Sequence, residues 1–229
     1  MRKFILKIFY NKKVRRASLV CIALFVVYFI FCLPSNLFPA VYSKLLLDRN
    51  GQLLEARIAE DGQWRFPQID SVPPKYEQCV LRYEDQHFRI HPGVNPLAIL
   101  RAIYLNIKAG KTVSGGSTIT MQTVRLMRKN GDRTVFEKLI EIIWAVRLEC
   151  SYSKNEILQL YATQAPYGGN VVGLETAAWR YFNRAPSQLS WAESAMLAVL
   201  PNAPGLIHLN KNRNALLDKR NKLLKDLVE

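Results

Sequence analysis

Residues 84–93 read Glu84-Asp85-Gln86-His87-Phe88-Arg89-Ile90-His91-Pro92-Gly93. Two acids and two histidines crowd around one aromatic ring. Spaced i, i+3, i+4 and i+7, Glu84, His87, Phe88 and His91 share one face if the segment is helical. Pro92-Gly93 then stops the helix. The spacing predicts the end of a helix over 75–90. Its face is either a solvated charged turn or one wall of an active site, and the rest of the chain has to decide which.

The same helical pattern runs from Pro73 to the C-terminus. Helices are expected over 75–90, 95–109, 117–128, 134–150, 154–163, 173–183, 190–200 and 211–228. Ser190 before Trp191-Ala192-Glu193 forms a capping box, and Pro201 and Pro204 close that helix. The fold class is mainly α, with one helical domain over 71–229. Before it, Lys44–Asp48 and Leu53–Ile58 flank Asn50-Gly51, a strong hairpin signal. Asp61-Gly62 makes a second turn ahead of Trp64 and Phe66. Residues 39–70 are therefore expected to be a short β linker.

Charge divides the N-terminus. The chain of 229 residues carries a net charge of +14, and seven Lys or Arg and no acid lie in residues 1–16. Residues 17–43 hold no charged side chain, and Ala17–Leu33 is an unbroken apolar run. A membrane span needs about 20 such residues, with about 17 at the low end. The run is long for a signal-peptide core, and Phe38-Pro39-Ala40 is a poor cleavage site. The expected reading is an uncleaved transmembrane signal anchor over 17–38, with residues 1–16 cytoplasmic and the domain outside. The remainder is still basic. No nucleic-acid motif accompanies that charge, so lipid phosphate is the natural partner beside an anchor. Cys21 and Cys32 lie in the apolar run. Cys79 and Cys150 form no CxxC pair, which argues against a zinc ribbon. Two buried free thiols are expected, with a disulfide left open.

Further segments carry candidate chemistry. Lys108 through Gln122 contains Gly115-Gly116-Ser117-Thr118-Ile119-Thr120, followed by Arg125. The glycines allow close backbone approach. Ser117 is the expected N-cap of a helix whose start faces the loop, and such starts bind anions. Lys108, Lys111 and Arg125 add positive charge. In the next helix Glu137 and Glu141 stand at i, i+4, a mildly unfavourable like-charge pair unless cations lie nearby. Ser151-x-x-Lys154 matches one motif of penicillin-reactive enzymes but lacks the Ser-Asp-Asn and Lys-Thr-Gly companions, so it reads as a helix start. There is no Asp-x-Asp and no His-Glu-x-x-His.

Together these motifs resemble the peptidoglycan glycosyltransferases of family 51, the glycan-polymerising modules of class A penicillin-binding proteins and of monofunctional transglycosylases. The resemblance covers about 40–229. It runs in order through Glu84-Asp85-x-x-Phe88-x-x-His91-x-Gly93, Gly115–Gln122, the Glu141 helix, Lys154-x-x-Ile157-Leu158-x-x-Tyr161 and Ala195–Pro204. Gly93-Val94-Asn95-Pro96, Ala165–Gly169 and Ala198–Pro201 look most like the 1C type. It implies a lysozyme-like helical fold acting on lipid II and the growing glycan strand at the bacterial inner membrane, alongside other cell-wall synthesis proteins. It also implies Glu84 as catalytic base and Glu141 as second acid, with Asp85, Phe88, His91, Ser117, Thr118, Gln122, Arg125 and Lys138 lining the substrate sites. A divalent cation, magnesium or manganese, can accompany the diphosphate in this family.

Three departures stand out. Glu137-Lys138 replaces the family's Arg-Lys, Tyr161-Ala162-Thr163 replaces Tyr-Leu-Asn, and Gly205 stands where serine is common. No transpeptidase segment follows, which leaves a monofunctional enzyme and a truncated reading frame both open. The rival readings are a lysozyme-like hydrolase with two carboxyls and an inactive cell-wall scaffold. The basic loop and the anchor favour the transferase.

Overall fold

A computed structural model describes residues 12–111, 115–129, 134–202 and 212–228. The N-terminal unit contains helix α1 (Lys12–Phe31), 20 residues long and apolar enough to cross a membrane. At 1.5 Å per residue it is about 30 Å long, a bilayer's hydrocarbon thickness. It starts inside the basic block and ends before Cys32 and Pro34, earlier at both ends than the 17–38 expected.

The second unit, residues 38–229, opens with the expected hairpin. Strands β1 (Lys44–Leu47) and β2 (Leu53–Arg57) pair antiparallel around the Asn50-Gly51 turn. Asp48 holds that turn, its carboxylate accepting from the Asn50 and Gln52 amides at 2.8 Å each. The next strand was not legible as a paired element. β3 (Trp64–Arg65) pairs parallel with β4 (Val171–Val172), more than a hundred residues on. Arg65 fixes the preceding chain, donating to the Val41 carbonyl at 2.7 Å, while its amide donates to Ser43 Oγ at 3.0 Å.

The remaining helices are α2 (Pro74–Glu84), α3 (Pro96–Ala109), α4 (Ile119–Arg128), α5 (Val135–Glu149), α6 (Lys154–Gln164), α7 (Leu174–Phe182), α8 (Trp191–Val199) and α9 (Arg213–Val228). Among the described residues the fold is mainly α, as expected. α4 is buried along Ile119, Met121, Val124 and Met127 and packs on α5 and α6. α2 packs on α8 and α9 around Tyr76, Cys79 and Val80. The capping boxes of α6 at Ser153 and Glu156 and of α8 at Ser190 and Glu193 both form. Cys79 is buried, and burial pushes its thiol up to about 12, whereas Cys150 is exposed; neither is in a disulfide. The expectation of two buried thiols thus holds for Cys79 alone, because Cys150 caps the outer end of α5.

The largest correction concerns the opening stretch. α2 ends at Glu84, and residues 86–92 form turns and bends rather than helix. Phe88 N–H donates to the Asp85 carbonyl and Ile90 N–H to that of His87, both at 3.0 Å. Glu84, His87, Phe88 and His91 therefore do not share a helical face. The Asp85 carboxylate is used elsewhere, and Phe88 is driven inward to complete burial. Burying such a ring contributes about 1.5–3 kcal/mol.

Candidate active site

The centre of the site is the start of α4. Thr118, not Ser117, is its N-cap. The Thr118 hydroxyl accepts from the Met121 amide at 3.1 Å and donates to the Gly93 carbonyl at 2.6 Å. Ser117 stands one residue outside and accepts from Lys138 Nζ at 2.6 Å. The helix start was expected to offer open N–H groups to an anion. Instead the Ile119 amide donates to Asp85 Oδ2 at 3.0 Å, so a carboxylate of the chain itself occupies that position. The same oxygen is 2.9 Å from His91 Nε2. Asp85 and His91 are both buried, and together they tie the 85–91 turns to α4.

Gly116 makes the close approach that the loop sequence implied, but to the chain itself. A Cβ there would lie 2.8 Å from the Cα of Ile99, while one on Gly115 would meet open space. Gly93 has φ +86, and a Cβ there would lie 2.7 Å from the Ala145 carbonyl oxygen. These two glycines let the 93–95 and 115–117 segments close around one cavity.

That cavity has a volume of about 370 Å³, and Glu84, Asp85, His91, Ser117 and Thr118 line it. Glu84, at the C-terminal end of α2, accepts from Gln122 Nε2 at 2.7 Å. One turn along α4, Arg125 makes a two-pronged pair with Glu141 on α5, at 2.6 and 3.0 Å. Lys138 Nζ adds a third contact to Glu141 at 3.1 Å. Residues three apart on a helix are neighbours, so Gln122 and Arg125 set both carboxylates along one side of α4. Burial alone would raise the Glu141 carboxyl, but the Arg125 hydrogen bond and the Lys138 and Arg125 charges outweigh it. They hold that carboxyl below its usual range. The Arg125 guanidinium is correspondingly pushed up by the same bond.

The suspected like-charge conflict does not arise. Glu137 turns to Arg128 at 2.5 Å, and Glu141 turns to Arg125. Phe88 lies fully buried and outside the cavity wall, with Lys154 Nζ 4.5 Å from its ring centre. Lys108 and Lys111 are exposed and do not line the cavity. Thr163, the second departure from the family pattern, has a buried hydroxyl with no hydrogen-bond partner among the described residues, as does Tyr161. Gly205 lies outside the described residues. Sequence reasoning missed Arg101, Asn95 and Ile90, which also line the cavity. Asn95 caps α3, accepting from the Ala98 amide at 3.1 Å, and Arg101 follows Leu97 and Ala98 by one turn. The Asn95-Pro96 helix start was the signal that could have found them.

Among the described residues no cluster of three or more His, Cys, Asp or Glu side chains could hold a metal. Glu141 is the second acid that the resemblance implies. Its two oxygens already face a guanidinium and an ammonium, which does not suit a cation ligand.

A family profile described as Transglycosylase matches residues 50–228. The chain belongs to the transglycosylase family. Penicillin-binding protein 1C of Escherichia coli (strain K12) is 39% identical over 187 residues, covering 81% of this chain and 24% of its own length. Penicillin-binding protein 1F of Bacillus subtilis (strain 168) is 34% identical, covering 75% of this chain and 24% of its own. Penicillin-binding protein 1A of Aquifex aeolicus (strain VF5) is 35% identical, covering 72% and 23%. The chain thus spans about a quarter of the length of these relatives. The resemblance to the 1C type agrees with the higher identity of the 1C relative. A crystal structure of penicillin-binding protein 1A from Haemophilus influenzae aligns with 83% of this chain and 18% of its own, at 16% identity and a TM-score of 0.40.

Proposed function

We propose that this chain is a peptidoglycan glycosyltransferase that polymerises lipid II into β-1,4-linked glycan strands and releases undecaprenyl diphosphate. The observation that carries the reading is the split of charge along α4. At one end stands an acid, Glu84, that accepts from the neutral amide of Gln122. A cluster of cations stands at the other, through Arg125 and Lys138.

A sugar hydroxyl becomes an effective nucleophile when a base takes its proton during attack. Glu84 lines the cavity and takes that role for the 4-hydroxyl of the acceptor N-acetylglucosamine. The oxygen attacks C1 of the donor N-acetylmuramic acid. The C1–O bond to the diphosphate breaks, and the anomeric carbon inverts. The electron pair leaves on the diphosphate, whose charge needs fixed cations more than a proton donor. Arg125 and Lys138 supply them, joined by Arg101 from the cavity wall. Glu141 holds Arg125 and Lys138 in place. Asp85, His91 and Thr118 hold the 85–91 turns and the α4 start around the sugar, Gln122 orients Glu84, and Ser117 steadies Lys138. Phe88 supports the turns from below.

The setting is the outer face of the inner membrane. α1 is a single-pass anchor, with residues 1–16 cytoplasmic and the catalytic domain of residues 71–229 outside. The second unit supports this with exposed apolar side chains on α3 and the start of α5. Leu97 is 78% exposed, Ile107 77% and Val135 81%. A lipid-linked substrate gives such a face a use.

The test is purified protein with labelled lipid II in detergent. A ladder of strands still carrying undecaprenyl diphosphate is expected. Glu84→Gln should lower polymerisation about 10²–10⁴-fold with an unchanged melting curve. Shortening of preformed strands would mark a hydrolase instead. A folded protein that binds lipid II and does neither would mark a scaffold.

A further inference from the structure

A second cleft lies between the β1–β2 hairpin and α7, and among the described residues none lines both it and the cavity at Glu84. Its volume is about 580 Å³, within the range of ligand sites. Leu45, Leu47 and Leu53 of the hairpin form one wall. Phe66 and the prolines at 67, 73, 74 and 186 form the others, with Trp179 and Glu175 presented by α7. The electrostatics of the lining run against those of the chain. The protein carries +14, yet among the described residues the ionisable side chains of this cleft are Asp70 and Glu175, with no Lys or Arg.

Glu175 is half-buried on this wall. Its Oε1 accepts the Trp179 indole N–H at 3.0 Å. No Lys or Arg forms an ion pair with it among the described residues. Burial pushes its carboxyl up, and the indole bond only partly offsets this. An anionic ligand, a diphosphate or a glycan carboxylate, would meet two carboxylates and no cation here. A purely apolar lipid tail would desolvate the acid further and give it no partner beyond the indole N–H. A cation flanked by apolar groups meets every wall.

We propose that this cleft docks an extended peptide segment of a partner protein that carries an arginine between apolar residues. The guanidinium reaches Glu175 Oε2 and lies against the Trp179 ring. A planar cation makes both contacts at once and an ammonium does not. The flanking apolar side chains fill the space between Leu45, Leu47 and Phe66. Peptides bind grooves of this kind through one anchored side chain and its neighbours.

The probe is the peptide Ac-Ser-Leu-Arg-Leu-Ser-NH2, titrated calorimetrically into the full chain in detergent. The Trp179 indole N–H is followed by NMR and assigned with Trp179→Phe. The arginine peptide should bind and move that resonance. The same peptide with norleucine or glutamate in place of arginine should bind at least about tenfold more weakly, as expected for a lost charge-assisted bond. Glu175→Gln keeps the acceptor for Trp179 and should weaken the arginine peptide by a similar factor. Polymerisation of lipid II should be unchanged in that variant. Asp70→Asn, on the exposed wall, is the second variant and should weaken binding severalfold even if Glu175→Gln fails to fold.

Equal binding of the arginine, norleucine and glutamate peptides would overturn the proposal. So would N-acetylarginine amide binding as tightly as the peptide, which would make the ligand a small cation. A Trp179 shift on adding phospholipid alone to the detergent-held chain would make the occupant a lipid. A shift that tracks protein concentration without peptide would make it a second copy of the chain. The binding readout uses no lipid II, so it stands or falls separately from the proposed activity.

Discussion

Lys154 donates its ammonium to the main-chain oxygen of His91 at 2.7 Å, across 63 residues of sequence. The same nitrogen pairs with Glu149 at 2.7 Å and lies over the Phe88 ring. One side chain at the start of α6 thus fastens the turns that carry Asp85 and His91. Lys154→Met keeps the stem and removes the charge. It should destabilise the protein by about 2–3 kcal/mol, the scale of hydrogen bonds to a charged group. Urea denaturation measures the loss, and lipid II kinetics should show a further fall under fully folding conditions. Full activity there would mean that the turns hold their shape without the lysine.

Ser151 and Lys154 should not react with penicillin. The Lys154 ammonium is committed to His91 and Glu149, and Ser151 Oγ accepts from Arg147. A fluorescent β-lactam should leave the purified chain unlabelled. An acylated Ser151 in a peptide map would refute this.

Gly116→Ala and Gly115→Ala should part company. The first drives a methyl group into the α3 backbone, and the second points one into open space. Overpacking against backbone costs about 1–3 kcal/mol, so Gly116→Ala should lower the melting temperature clearly and Gly115→Ala should scarcely change it. Equal effects would show that the loop relaxes away from α3.

The Arg125–Glu141–Lys138 cluster should impose an acid limb on stability. A carboxyl depressed in the folded state contributes stability above its unfolded value, and that contribution disappears as pH falls through the folded value. The Glu141 carboxyl is depressed. Glu141→Gln should therefore be less stable than the parent at pH 7, by about 2 kcal/mol. The gap should close as pH falls below the usual carboxylate range, where the parent's own Glu141 takes a proton. A gap that stays constant from pH 7 to pH 3 would remove charge from the explanation and leave packing.

Much of this was legible in the residues and some was not, for physical reasons. Helix positions followed from periodicity and caps, and the Asn50-Gly51 hairpin followed from its turn chemistry. The turns after Glu84 did not. Helical spacing scores Glu84, His87, Phe88 and His91 alike, whereas the chain bends because Asp85 is needed at Ile119 and Phe88 is needed in the core. Those partners lie at least 30 residues away. The same blindness hid the β3–β4 pair and the choice of Thr118 over Ser117, since either hydroxyl satisfies the local cap rule and only the Gly93 carbonyl separates them. Glu137 and Glu141 read as neighbours in conflict. The arginines that answer them, Arg128 and Arg125, come from α4, where sequence distance says nothing of approach.

The carboxylate of Asp85 at the first N–H of α4 has one more implication. A helix start that waits for a ligand's phosphate gains part of its order only on binding, and its backbone shares in the ligand's charge. Here that position is satisfied beforehand, so the apo and loaded proteins should have nearly the same amide-exchange protection along α4. The helix backbone adds no attraction of its own at the Ile119 amide. Whatever anion the site holds then depends on side-chain cations alone, and its affinity should decline steeply with ionic strength.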